Sequence, residues 1–180
     1  MEPVTTGLSV ERVGPSVLGG GLLDMLLSVD GERLPGSAAR GVRRSRRAGP
    51  PWQPGSWRGL STTTREAWLS LAFHLREPGP DRSGGVYHLD GRAVEDAAGL
   101  HCALGAALNG PGGYYGRCWN SLRDCLGGGF GVARPFALVW HDFAATEREL
   151  PEVVDPATGR CLPEDVARLL EQWGVTVVRA

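Results

Sequence analysis

Residues 136–140, Phe-Ala-Leu-Val-Trp, form an unbroken apolar run between Arg134-Pro135 and the polar His141-Asp142 pair. Such a run reads as a strand covered on both faces, the kind found inside a parallel sheet. Parallel strands need crossover connections, so the flanking segments decide the fold. Upstream, Val-Tyr-His-Leu-Asp-Gly at 86–91 reads as a short strand ending in a turn. From Glu95 to Leu108, apolar residues recur at Ala97, Leu100, Ala103, Leu104, Ala107 and Leu108, which is helical spacing. Asn-Gly-Pro-Gly-Gly stops that helix. A second short helix is predicted over Cys118–Leu126, with Cys118, Leu122, Cys125 and Leu126 on one side. Downstream, Pro163–Trp173 carries Val166, Leu169, Leu170 and Trp173 at helical spacing. Gly174 ends it, and Val-Thr-Val-Val at 175–178 is the last strand. The order β-α-α-β-α-β predicts an α/β fold, a small three-stranded parallel sheet packed with helices. Residues 86–180 are enough to fold alone.

The N-terminal 77 residues are harder to read. Leu8 and Val10 alternate weakly, and Leu22, Leu23, Met25, Leu26, Leu27 and Val29 form an apolar cluster before an Asp30-Gly31 turn. Strand and helix both remain open there. Residues 35–64 are rich in Pro, Gly, Arg and Ser and lack periodicity, so they read as a loop or a disordered stretch. The Arg-Arg-Ser-Arg-Arg cluster with Trp52 and Trp57 has the chemistry to touch phosphates by charge and stacking, but a solvated linker is the preferred reading. Over 66–76, the alternation of Leu69, Leu71, Phe73 and Leu75 predicts a strand. The N-terminal region is therefore an extension or a small β unit. Residues 78–85, Pro-Gly-Pro-Asp-Arg-Ser-Gly-Gly, read as an interdomain linker to the 86–180 domain.

Charge narrows the partners. The chain has a formal net charge of −1, so it does not advertise a nucleic-acid ligand. Its halves differ. Residues 1–85 hold 11 Arg against 8 acidic residues, and residues 86–180 hold 8 Arg against 12 acidic residues. An acidic half suits a basic partner. The four cysteines, at 102, 118, 125 and 161, make no CxxC pair, which reads as free thiols in a cytoplasmic protein. No metal or cofactor is expected. The first apolar run is interrupted by Asp24 and starts too late for a signal peptide, and no run is long enough to span a membrane.

The stretch Tyr-Tyr-Gly-Arg-Cys-Trp-Asn-Ser-Leu-Arg-Asp-Cys-Leu-Gly-Gly-Gly at 114–129 carries the most specific signal. Tyr114, Tyr115 and Gly116 precede Asp124, Cys125 and Leu126 at a spacing that resembles the barstar family, intracellular protein inhibitors of barnase-type ribonucleases. Leu100-His101 in the first helix, the strand ending in Trp140, the closing helix, Gly174 and the final strand fit the same pattern. The resemblance covers about residues 86–180. It implies inhibition by occlusion: a loop and helix plug a basic active site, with a carboxylate standing where a phosphate would sit. It assigns Asp124 as the principal inhibitory acid and Tyr114 as a partly exposed contact. It further implies partner-facing roles for Gly116, Cys118, Asn120, Arg123 and Gly128, and a monomer when free.

This chain departs from the family pattern at several of these positions. Cys118 stands where the family usually has Asn, Asn120 where it has Asp, and Arg123 where the prototype has an aromatic. Gly127-Gly128-Gly129 lacks the prototype's bulky contact, and the distal acid falls near Glu164 or Glu171. A barstar-fold binding module, or an immunity protein for a different toxin, is the alternative these departures support. Tyr115, Trp119, Trp140 and Trp173 read as core or near-core aromatics. Cys118 and Cys125 read as buried, inert thiols, and His101 as a packing or capping residue. Nothing forms a nucleophile–base pair, a Lys-bearing phosphate loop or a carboxylate dyad, so the chain is not expected to be an enzyme.

Overall fold

The computed structural model describes residues 8–15, 23–29, 53, 55–77, 79–155 and 159–180; of the two N-terminal strands only Val13 and Gly14 have described side chains, and those of 153–155 are not described. The Arg-rich cluster at 43–47, Trp52 and the Asp30-Gly31 turn lie outside these residues. Strands β1 (Leu8–Pro15) and β2 (Leu23–Val29) pair antiparallel with an irregularity between Val10 and Arg12. This is a small β unit, and it settles the strand-or-helix question left open for this region.

The predicted three-stranded parallel sheet is present. Strand β3 (Val86–Asp90) and the final strand β7 (Thr176–Arg179) flank the central β4 (Ala137–His141). Val86 is opposite Ala137 in one pairing, and Ala137 is opposite Thr176 in the other. Within β4, Leu138 and Trp140 are fully buried, whereas Ala137, Val139 and His141 are half-buried. The apolar run is thus sealed on one face and only partly covered on the other, not on both as expected. The Trp140 indole Nε1–H donates to Thr146 Oγ1 (3.1 Å), whose hydroxyl donates to the Gly91 carbonyl (3.3 Å). That chain satisfies a buried indole without water.

The helices follow the predicted order: α2 (Ala97–Asn109), α3 (Trp119–Leu126) and α5 (Leu162–Gln172). The connection after β4 holds a short helix, α4 (Phe143–Glu149), and the ribbon β5 (Val153–Asp155) with β6 (Arg160–Cys161). Arg134 joins two helix ends, donating to the Leu126 carbonyl (2.8 Å) and the Trp173 carbonyl (3.1 Å), with its guanidinium over the Trp173 ring. A cation there satisfies carbonyls left without intrahelical partners.

The segment expected as a strand over 66–76 is instead helix α1 (Thr62–His74). Its buried positions Arg65, Trp68, Leu69, Leu71 and Ala72 have helical spacing, while Leu75, placed on the expected strand face, is 57% exposed. Ser61 starts the helix by accepting from the Thr64 amide. The reason for a helix here is α2. From Ala98 to Gly105 every α2 residue is buried, so the sheet alone cannot cover it and a second layer is required. Helix α1 supplies that layer. Trp57, Trp68, Leu69 and Ala72 share one core with Leu100, Leu104 and Tyr115, so the core extends upstream of residue 86. Trp57 is 3% exposed, a core residue rather than a stacking platform.

One polar cluster fastens the two helices. The Arg65 guanidinium, 3% exposed, pairs with Glu95 and with Asp96 (2.8 Å), and its Nε donates to the Trp57 carbonyl (3.2 Å). Asp96 also caps α2 through the Gly99 amide (2.6 Å) and accepts from Thr62 Oγ1 (2.6 Å). Partial burial opposes ionisation of Asp96, but the bonds from Thr62, Gly99 and Arg65 outweigh it and hold the carboxyl below its usual value. A depressed carboxylate contributes stability above its unfolded pKa, and that contribution is lost as pH falls through the folded value. We expect Asp96→Ala to cost about 2–3 kcal/mol, more than a lost helix cap alone, because a buried guanidinium loses a partner. Chemical denaturation at neutral pH measures this. The wild-type advantage over Asp96→Ala should shrink below about pH 4.

Candidate interaction face around helix α3

Two tethers position the 114–130 segment. The Asn109 side-chain amide, at the end of α2, donates to the Tyr114 carbonyl (2.8 Å) and the Phe130 carbonyl (2.9 Å). It therefore grips both ends of the loop–helix–loop. Arg82 donates to Asn109 Oδ1 (3.0 Å) and to the Leu108 carbonyl (2.7 Å). Asp81 accepts from the amides of Gly129 (2.6 Å) and Gly131 (2.7 Å). Asp81 and Arg82, within the expected 78–85 linker, thereby fasten it to the returning loop, and Arg82 forms a β-bridge with Val132.

The entry turn depends on Gly116. Its φ is +85°, and a Cβ there would lie 2.8 Å from the backbone of Leu122. Only glycine lets the turn pass this close to α3. Tyr115 is fully buried, and its hydroxyl donates to the Val132 carbonyl (3.1 Å). Tyr114 is not the partly exposed contact expected of it. It is 4% exposed, with its ring packed edge-on against Phe73 of α1 (5.2 Å between centroids) and tilted against Phe130. Burial pushes the Tyr114 hydroxyl above its ordinary value, with a hydrogen bond to Ser121 working against it. Nothing in the residue pattern pointed to Phe73 as its neighbour, because 66–76 read as a strand.

Helix α3 turns Leu122, Cys125 and Leu126 inward. Burial pushes the Cys125 thiol up to about 12, as expected of an inert cysteine. Cys118 is different: it is exposed, not buried. It occupies the N-cap in extended conformation (φ −161°), which directs its side chain to Ser121 Oγ (3.3 Å) rather than to the core. Ser121 Oγ reciprocates by accepting from the amides of Arg117 (2.7 Å) and Cys118 (3.0 Å). Trp119, expected in or near the core, is 41% exposed on the first turn. Asn120, Arg123 and Asp124 are all exposed, and Asn120 sits one turn before Asp124. The structure therefore presents Cys118, Trp119, Asn120, Arg123 and Asp124 from one short helix, with Arg117 beside them. Gly128 is half-buried at φ +108°, with Asp81 Oδ2 3.1 Å from where a Cβ would lie.

A protein-family model for barstar, the barnase inhibitor, matches residues 85–174, half of the chain. The chain belongs to the barstar family. No curated protein matches it. Within this barstar-family chain the expected distal acids are both engaged. Glu171 accepts from Arg179 (2.7 Å), and Glu164 lies 3.4 Å from the same guanidinium.

Two of the depressions border the 114–130 segment. One, of about 290 Å³, lies among Arg76, Asn109, Gly113, Tyr114 and Phe130. The other, of about 580 Å³, is lined by Glu66, Ser70, His101, Arg117, Cys118 and Trp119, among others. Arg117 reaches across to Ser70 Oγ (3.1 Å), so α1 forms part of this border. His101 is 5% exposed and its Nδ1 has no hydrogen-bond partner. It is a packing residue and caps nothing. Burial holds its pKa down at about 4. The unfolded chain therefore binds a proton near pH 6.5 that the folded chain refuses until about pH 4. The His101 contribution to stability should fall as pH drops through this window, by an amount on the order of 3 kcal/mol, and change no further below it. Denaturation midpoints between pH 4 and 7 test this, with His101→Met expected to flatten the profile.

Proposed function

We propose that this chain is an intracellular inhibitor of a barnase-type ribonuclease, which it blocks by inserting the 114–129 loop and helix into a basic active site. Membership of the barstar family supports this reading. The observation that carries it is the placement of Asp124, exposed on a helix within the 114–130 segment, whose two ends are tied to α2 through Asn109. A carboxylate held this way loses little conformational freedom on binding, and a phosphate-binding pocket supplies the opposite charge. Asn120 and Arg123 border it, Cys118 and Gly128 lie at the two ends of the helix, and the buried Tyr114 and Gly116 support the turn. The chain would act by binding rather than catalysis, as a monomer when free. Cys102, Cys118, Cys125 and Cys161 are not joined in disulfides, which suits the cytoplasm, and no described helix is long and apolar enough to cross a membrane.

A second reading rests on charge. Exposed Arg117 and Arg123 flank Asp124, and Asn120 is neutral where the family has an acid. This face is of mixed sign, which favours a partner whose basic pocket is bordered by acidic residues, either an altered ribonuclease or a different toxin.

Calorimetric titration of the full chain into a panel of barnase-type ribonucleases tests the first reading. We expect a one-to-one complex that weakens with salt. Asp124→Ala should lose at least about 2 kcal/mol, roughly 30-fold, the scale of interface hot spots for which barnase–barstar is itself a model pair. Binding to none of them, with a toxin lacking ribonuclease activity captured instead, would transfer support to the second.

A further inference from the structure

Cys118 combines features that the other cysteines lack. Cys102 and Cys125 are buried, and Cys161 is half-buried with its thiol directed at Glu147 Oε1 (3.9 Å). Cys118 is exposed at the N-terminus of α3, where unpaired backbone amides favour negative charge. Hydrogen bonds from Ser121 hold its thiol below the ordinary value, with the Asn120 amide and the Arg117 guanidinium acting in the same direction. The remaining groups around it are Glu66 from α1, His101 from α2 and the hydroxyl of buried Tyr114.

A second observation concerns what lies beside the thiol. Cys118 borders the depression of about 580 Å³ at the junction of α1, α2, α3 and Leu162 of α5. Leu69, Ala98 and Leu162 supply apolar lining, and Glu66 and Arg117 bring one charge of each sign. His101 forms part of the same wall, 5% exposed and with Nδ1 unpartnered. A buried polar group without a partner is uncommon in a finished core. An apolar pocket with a few convergent polar groups has the character of a small-molecule site.

We propose that Cys118 is a thiol-exchange site that takes one half of a small zwitterionic disulfide into this groove and thereby masks the α3 face. The Cys118 thiol first gives its proton to solvent. Its thiolate attacks one sulfur of the disulfide, a new S–S bond joins Cys118 to that half, and the original S–S bond breaks. The other half leaves as a thiolate and is protonated by solvent. Cys118 is oxidised to a mixed disulfide and the departing half is reduced to a thiol. A reducing thiol reverses the exchange. Arg117 receives the carboxylate end of the bound half and Glu66 its ammonium. The adduct sits one helical turn from Ser121 and Leu122, and Asp124 follows on the same short helix, so a partner docking there meets it. The masking rests on the proposed inhibitor reading; the thiol chemistry does not.

The test uses the full chain with oxidised glutathione at neutral pH, followed by intact mass and tryptic mapping, which places the four cysteines on four different peptides. We expect one early adduct, on the 118–123 peptide, forming at least about 5-fold faster than on N-acetylcysteine, as a thiolate-rich site requires. It should be absent in Cys118→Ser and removed by dithiothreitol. Arg117→Ala should slow oxidised glutathione while leaving the uncharged hydroxyethyl disulfide unaffected. An adduct that forms first on Cys161, a Cys118 rate no faster than N-acetylcysteine, or equal effects of Arg117→Ala on both reagents would overturn the proposal. The adduct is then titrated into any ribonuclease that the reduced chain binds, with binding expected to disappear and return on reduction. Unchanged binding by the adduct overturns the masking. A reduced chain that binds no ribonuclease counts against the inhibitor reading, and the thiol result is scored separately from it.

Discussion

One side-chain amide holds the proposed interaction face in place. Asn109 ends helix α2 and donates both of its N–H groups, one to the carbonyl entering the 114–130 segment and one to the carbonyl leaving it. Only an amide can do this while its oxygen still accepts from Arg82. An aspartate there would offer no donor, and two backbone carbonyls would lose their partners. Gly131 is the counterpart. It sits at φ +85° against the Asn109 amide, where any Cβ would collide with Oδ1. With Asp81 gripping the Gly129 and Gly131 amides, the segment becomes a strap closed at both ends, and α3 rides on it as a fixed element.

Helix α2 imposes the second constraint. A helix buried nearly all round needs more than a three-stranded sheet can cover, and the chain meets this with α1. The Arg65–Glu95–Asp96 cluster fixes where α1 lies, and its polar bonds offset the cost of burying a guanidinium. Once docked, α1 reaches the α3 face as well. Phe73 closes over Tyr114, Ser70 receives Arg117, and the Arg76 guanidinium lies over Phe73 and Phe130. The border of the interaction face is therefore built partly from residues before the segment that the family model matches.

The face itself differs in charge from a purely acidic plug. Arg117 and Arg123 flank Asp124, Asn120 is neutral, and the two acids downstream are paired with Arg179. Opposite charges set close together weaken the long-range field that speeds encounter but sharpen discrimination between partners at contact. A wrong partner leaves a cation or a carboxylate unpaired, which is expensive in a desolvated interface.

The sheet, its parallel sense, the order of its helices and the family were legible from the residues alone, because apolar spacing and the 114–126 motif are local properties of the chain. Also legible were Gly116 and Asp124, whose backbone and charge requirements are written in their residue types. The all-round apolar pattern of α2 even held a signal for a covering helix, although the alternation at Leu69, Leu71, Phe73 and Leu75 concealed it. Exposure near element ends and contacts across long separations emerged only from the packed fold. Cys118 and Trp119 look apolar in sequence yet face solvent, because the N-cap turns the chain outward before α3 begins. Tyr114 looks like a contact yet is sealed by Phe73, a residue 41 positions earlier. Periodicity reports which face of one element is apolar, whereas burial depends on which other element arrives to cover it.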